Sequence, residues 1–223
     1  MRGESFVATA IEFNHYEKKL AGRKVLQDIC LSVEEGSITW IVGPNGCGKT
    51  MLLRAAAGLI RPDNGSVRVF GQQLSMQHRF PESVGIVLEH PSLWDDLTGL
   101  ETLKSLAAIR KQATESDCVQ ALKRVGLDPE DRRTVRKYSL GMKQRLCIAQ
   151  AIMEKPKLLL LDEPLNALDK EAVEQMSVLL REEQERNATI VIASHIESRL
   201  ETMCDATVFL AEGKITEIQK KEM

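Results

Sequence analysis

Hydrophobic positions change their period several times along the chain, and each change predicts a different element. From Phe6 to Phe13, and again from Val25 to Val33, apolar and polar residues alternate as they do in half-buried antiparallel strands. Ser37 to Val42 (SITWIV) is instead a short, nearly continuous apolar run, which suits a central strand covered on both faces. It ends in glycine, and a helical pattern follows from about Thr50 to Leu59. Arg61 to Gly65 (RPDNG) is turn chemistry. From about Pro91 to Met153 the helical period dominates. Leu100, Leu103, Leu106, Ala107 and Ile109 form one apolar stripe there; Val119, Leu122 and Val125 form another. Two further buried-strand runs, Lys157 to Leu161 and Thr189 to Ala193, flank an amphipathic helix from about Lys170 to Arg186. A closing hairpin, Thr207 to Leu210 and Ile215 to Ile218, turns at Ala211 to Lys214. The pattern predicts one α/β domain over 1–223 with a helical insert at about 90–153.

Composition narrows the class. Thirty basic and 32 acidic residues leave a formal charge of −2, without the basic excess of a constitutive nucleic-acid binder. No apolar run approaches the ~20 residues that span a bilayer, and the N-terminus lacks the pattern of a secretory signal. Five scattered cysteines with no C-x-x-C pair point to reduced thiols and away from a disulfide framework or a zinc site. A cytoplasmic setting is expected.

Gly43-Pro44-Asn45-Gly46-Cys47-Gly48-Lys49-Thr50 fits the P-loop pattern G-x-x-x-x-G-K-[ST], between a predicted strand and a predicted helix as the mechanism requires. Glycines let backbone N–H groups turn around phosphate oxygens, and the helix that begins here adds its positive end. Lys49 is placed to reach the β- and γ-phosphates, and the Thr50 hydroxyl to ligate Mg²⁺. Cys47, at a helix start beside Lys49, is expected to be reactive. Leu158 to Leu161 then runs into Asp162-Glu163-Pro164. Carboxylates at the C-terminal end of such a strand lie where α/β sheets bind ligands. Asp162 suits Mg²⁺ through water, and Glu163 suits polarisation of a water attacking the γ-phosphate. Taken alone, two acids ending a strand are as often plain surface residues.

With these motifs the sequence resembles the ATP-binding-cassette (ABC) ATPases, from about Ile11 to Ile218. The family's signature loop, commonly L-S-G-G-Q, is matched by Tyr138-Ser139-Leu140-Gly141-Met142, with Ser139 at the usual interval of 23 residues before Asp162. Leu140 and Met142 replace the first glycine and the glutamine. The run S-L-G-M-K-Q-R resembles bacitracin- and lantibiotic-resistance exporters. The resemblance implies an ABC-type P-loop NTPase: a RecA-like core sheet, an N-terminal antiparallel β subdomain and the inserted helical subdomain. It also implies ATP and Mg²⁺ as ligands, with Met51 following the phosphate loop. Tyr16, ten residues before Leu26, matches the adenine-stacking aromatic; Leu165 to Asp169 matches the D-loop, and His195 the switch histidine that contacts the γ-phosphate. Val84 to Glu89 matches the Q-loop with Glu89 in place of glutamine, a third carboxylate for the metal. His15, His78 and His90 have no such context and are expected to face solvent.

The function implied is the nucleotide-binding subunit of a transporter, hydrolysing ATP at composite sites of a head-to-tail homodimer, or of a heterodimer with a second cassette. Each site takes the P-loop and Glu163 from one chain and Ser139–Met142 from the other. A separately encoded transmembrane permease would hold the chain at the cytoplasmic face of the membrane and carry a drug, peptide or lipid-like substrate, with export favoured by Leu140, Met142 and Glu89. The main rivals are soluble ABC ATPases of translation or DNA repair, and unrelated P-loop kinases or GTPases. Lys49 and Asp162 stand 113 residues apart, which leaves no room for a second cassette or a long coiled coil between them. The S-L-G-M-K-Q-R segment disfavours kinases and GTPases.

Overall fold

The computed structural model describes residues 8–88, 93–195 and 200–221. Two sheets carry the architecture. The first, ordered β2-β1-β4-β5, is antiparallel and comprises β1 (Thr9–Leu20), β2 (Arg23–Glu34), β4 (Asn64–Val69) and β5 (Gln72–Gln73). The second runs β10-β9-β3-β8-β7-β6 and comprises β3 (Ile38–Val42), β6 (Val84–Val87), β7 (Leu158–Asp162), β8 (Thr189–Ala193), β9 (Ala206–Ala211) and β10 (Lys214–Lys220). Its strands are parallel except for the closing hairpin β9–β10. The helices are α1 (Lys49–Ala56), α2 (Gly99–Arg110), α3 (Glu115–Arg124), α4 (Leu140–Ile152), α5 (Lys170–Glu185) and the short α6 (Leu200–Met203).

The continuous apolar runs have a direct cause. Every residue of β3, β7 and β8 is buried, because both faces of this sheet are covered. Leu159, Leu161, Ile190 and Ile192 join a core built with α2, α3, α4 and α5. Leu158, Leu160, Val191 and Ala193, one residue out of phase, join a second core that holds α1 and the inner face of the antiparallel sheet. At ~25 cal/mol per Å², the full burial of each such side chain is worth ~1.5–3 kcal/mol.

Helices α2, α3 and α4 fall where the 3.6-residue period places them, and Leu103, Leu122 and Val125 are buried as the stripes predict. Ile109 is not: it is 73% exposed, in the last turn of α2, which ends at a left-handed cap on Lys111. Threonine caps open α2 and α3: Thr98 and Thr114 each form a capping box, with Glu101 and Asp117. The antiparallel sheet is larger than the alternation suggested. β1 continues to Leu20, and residues 64–69, whose first two close the RPDNG turn, pair with β1. Strand β6 sits on the edge of the parallel sheet, where its four residues are too few to show a period.

Candidate active site

The C-terminal ends of β3, β7 and β8 lie side by side, the position where parallel sheets receive ligands. After Val42 the chain turns through Gly43–Gly48 and enters α1. Gly48 sits at φ 114°, and a Cβ there would come within 2.9 Å of the Val25 carbonyl, so the loop-to-helix turn requires glycine. Lys49 is 6% exposed; its Nζ donates to the carbonyls of Gly43 at 2.7 Å and Pro44 at 3.3 Å. The ammonium is thus held inside the loop that it would offer to an anion.

Beside this loop the strand ends are tied together. Glu163 N–H donates to Ala193 O at 2.8 Å, Ser194 N–H to Ile41 O at 3.2 Å, and the Trp40 indole to Ser194 O at 3.1 Å. These bonds bring the Glu163 carboxylate, 9% exposed, between two donors: Ser194 Oγ at 3.0 Å from Oε2 and His195 Nδ1 at 2.8 Å from Oε1. Glu163 takes up this position at φ 48°, a left-handed conformation that costs a non-glycine residue about 1–2 kcal/mol. Strain of this kind, held by surrounding bonds, gathers at functional sites.

These groups share one cavity of about 390 Å³. Its walls are Val25, Asn45, Gly46, Gly48, Lys49, Thr50, Met51, Asp162, Glu163, Asn166 and His195. A basic amine, backbone amides at a helix start and a row of hard oxygen donors are the chemistry of a polyphosphate site with a divalent ion. Thr50 and Asp162, the latter 2% exposed, are oxygen ligands that fit Mg²⁺. Glu89, the third expected metal ligand, lies outside the described residues.

Three sequence expectations change. Tyr16 is fully buried and does not face the cavity. The left-handed bulge at His15 shifts the strand phase, so Tyr16 turns to the same side as Phe13, and their rings meet edge-to-face at 5.4 Å. Its hydroxyl donates to Ile60 O at 3.2 Å; burial, then the charge of Asp63, holds the phenol far above its ordinary pKa. Its ring therefore offers no exposed face for an adenine, and Val25 and Met51 are the apolar side chains that line the cavity. Second, Cys47 is 5% exposed and packed in the core, which shields its thiol from reagents. Third, Gly43, Pro44 and Cys47 stay out of the cavity wall.

Ser139, Leu140, Gly141 and Met142 also lie away from this cavity. Ser139 caps α4, its hydroxyl accepting from Met142 N–H at 3.2 Å, and Leu140 is 72% exposed beside it. The helix behind this surface is nevertheless bonded to the site. Gln144 Nε2 donates to the carbonyls of Glu163 at 3.3 Å and Pro164 at 3.1 Å. Gly141 packs so tightly that a Cβ would meet Ala167 O at 2.8 Å. Sequence reading missed Gln144, Ser194 and Val25; only the position of Ser194, directly before His195, offered a signal.

A family model described as ABC transporter matches residues 26–166, more than half of the chain. Over 210 residues the chain is 42% identical to the uncharacterized ABC transporter ATP-binding protein YybJ of Bacillus subtilis, covering 94% of this chain and 96% of that one. It is 39% identical to the bacitracin transport ATP-binding protein BcrA of Enterococcus faecalis, over 93% of this chain and 68% of the relative. It is 33% identical to the lantibiotic transport ATP-binding protein SrtF of Streptococcus pyogenes, over 92% and 88%. The dimeric structure of the ABC transporter cassette MJ0796 shares the fold with a TM-score of 0.86 at 24% identity, covering 96% of this chain and 99% of that one. A solved ATP-binding subunit of an ABC transporter superposes with a TM-score of 0.85 at 26% identity, over 95% and 90%.

Proposed function

The chain belongs to the ABC transporter family as an ATP-binding cassette, and we propose that it hydrolyses Mg-ATP to drive a separate membrane subunit that exports an antibiotic-like peptide, drug or lipid-like compound. One observation carries the catalytic part: the P-loop lysine, Asp162 and a carboxylate aimed by two donors all face one cavity. Lys49 exchanges the carbonyls of its own loop for phosphate oxygens. Thr50 and Asp162, with Glu89 from sequence, would hold Mg²⁺, which when bound neutralises charge developing on the phosphates. Glu163 acts as general base toward the attacking water, and Ser194 and His195 fix its orientation. His195, half-exposed at the cavity edge, is placed to meet the γ-phosphate as the water is polarised.

Ser139–Met142, on the surface, serve the nucleotide of a second cassette, so the working unit is a head-to-tail dimer. Ser139 hydroxyl and the amide end of α4 then supply donors to a γ-phosphate. A relative named for bacitracin transport and one named for lantibiotic transport support the substrate class. No helix among the described residues is long and apolar enough to cross a membrane, which fits a membrane subunit on another chain and a place at the cytoplasmic face.

Glu163→Gln tests the catalytic assignment. It should bind ATP, slow hydrolysis by about 10²–10⁴-fold, and accumulate as an ATP-bound dimer on size exclusion. Turnover like that of the wild type would remove Glu163 from the mechanism.

A further inference from the structure

Far from the catalytic carboxylates in sequence, the β1–β2 hairpin brings three unlike donors to one point. His15 Nδ1 lies 2.6 Å from Asp28 Oδ1 and 3.6 Å from Cys30 Sγ. All three donor atoms lie within 4.8 Å of one another, and among the described residues this is the one group of three histidine, cysteine or acidic side chains so arranged. All three side chains are exposed.

As a hydrogen-bond set the arrangement is poorly matched. Both contacts converge on the same ring nitrogen, whose single proton serves one partner only. A Cys–His–Asp relay would instead use the two ring nitrogens separately, so nucleophile activation does not explain it. As a ligand set the arrangement is nearly complete. A tetrahedral Zn²⁺ with Zn–S about 2.3 Å and Zn–N about 2.0 Å separates sulfur and nitrogen by about 3.5 Å, against the 3.6 Å present. The nitrogen–oxygen edge needs about 3.3 Å, so Asp28 must withdraw by well under 1 Å, a small side-chain rotation at an exposed site.

Backbone geometry shows how the two strands bring the three side chains together. His15 and Asp28 both hold left-handed conformations, φ 47° and 51°, on paired strands. Asp28 and Cys30, two residues apart on β2, share its exposed face as strand alternation requires, and the bulge between Phe13 and Tyr16 brings His15 of β1 to them.

We propose that His15, Asp28 and Cys30 form a three-donor site for Zn²⁺, with water in the fourth position, separate from the Mg²⁺ site. The sequence hid it because the ligands are 13 and 2 residues apart, outside any zinc spacing, and meet only through strand pairing. The site is mechanically close to the nucleotide. Gln27 N–H, next to Asp28, donates to Gly213 O, and Gly213 N–H donates to Cys47 O in the phosphate loop, both at 2.8 Å.

Titration of the full, reduced chain with Co²⁺ in excess Mg²⁺ tests the proposal, since Co²⁺ reports its ligands optically. One Co²⁺ per chain should bind with a thiolate-to-cobalt charge-transfer band, and equimolar Zn²⁺ should remove it. Cys30→Ser should abolish the band, and His15→Ala or Asp28→Asn should weaken Co²⁺ binding at least tenfold. Asp162→Asn should leave the titration unchanged. The proposal is overturned if the band is absent, if it survives in Cys30→Ser, or if Asp162→Asn removes it. These outcomes do not depend on ATP turnover, so they stand apart from the catalytic reading.

Discussion

Gln144→Ala should slow ATP hydrolysis while sparing ATP binding, although Gln144 does not line the cavity. The residue lies in α4, five positions after Ser139, and its amide donates to the carbonyls of Glu163 and Pro164. A neutral bond of this kind contributes about 1 kcal/mol, so removing both withdraws about 2 kcal/mol from the turn that carries Glu163. That turn already bears the ~1–2 kcal/mol cost of φ 48°. Were the whole loss spent on misaligning the carboxylate, the aligned population would fall about 30-fold at 1.4 kcal/mol per decade. Ser194 and His195 still hold the carboxylate itself, so the expected fall in kcat is about five- to thirtyfold. Steady-state ATPase titrations at saturating Mg²⁺, with ATP affinity measured separately by equilibrium binding, separate the two effects. A lower kcat with affinity unchanged supports a positioning role; an unchanged kcat, or a change in affinity alone, refutes it.

Other expectations follow from burial and charge. Of the five cysteines, only Cys30 is exposed, so maleimide should label about one thiol per native chain, almost none in Cys30→Ser, and all five in denaturant. Glu183, fully buried, joins Arg124 of α3 to Arg186. Glu183→Ala should cost about 3 kcal/mol in denaturant unfolding, since it removes the buried carboxylate that both guanidinium groups share and leaves Arg124 only Glu182 and Arg186 only the carbonyls of Lys155 and Pro156. Glu89→Gln removes one of the two carboxylates expected to ligate the metal and should raise the Mg²⁺ concentration for half-maximal ATPase; superimposable titrations would leave Glu89 without a metal role.

Legibility in the sequence followed how local each signal is. β3, β7 and β8 announced themselves because burial on both faces imposes an unbroken apolar run within five residues. The phosphate loop, Asp162 and Glu163 were equally plain, since each sits at the end of such a strand. Tyr16 misled because its spacing is right but its phase is not. A single left-handed residue, His15, turns it into the core, and alternation cannot register one inserted position. Cys47 was correctly located, yet its access depends on packing by distant segments. Gln144, Ser194 and the His15–Asp28–Cys30 group act through contacts between strands or between a helix and a turn, for which no local period exists.

Complementation between two inactive chains tests the composite dimer most directly. Lys49→Ala removes the phosphate ligand inside the cavity, and Ser139→Arg blocks the surface that serves the partner's nucleotide; each protein alone should be nearly inactive. Mixed in equal amounts, half of the dimers are expected to pair the two variants, and each such pair carries one intact site. ATPase activity should therefore reappear at about a quarter of the wild-type rate and rise more steeply than linearly with total protein concentration. A mixture no more active than its components, or wild-type activity strictly proportional to concentration down to nanomolar protein, would contradict hydrolysis at an interface between two cassettes.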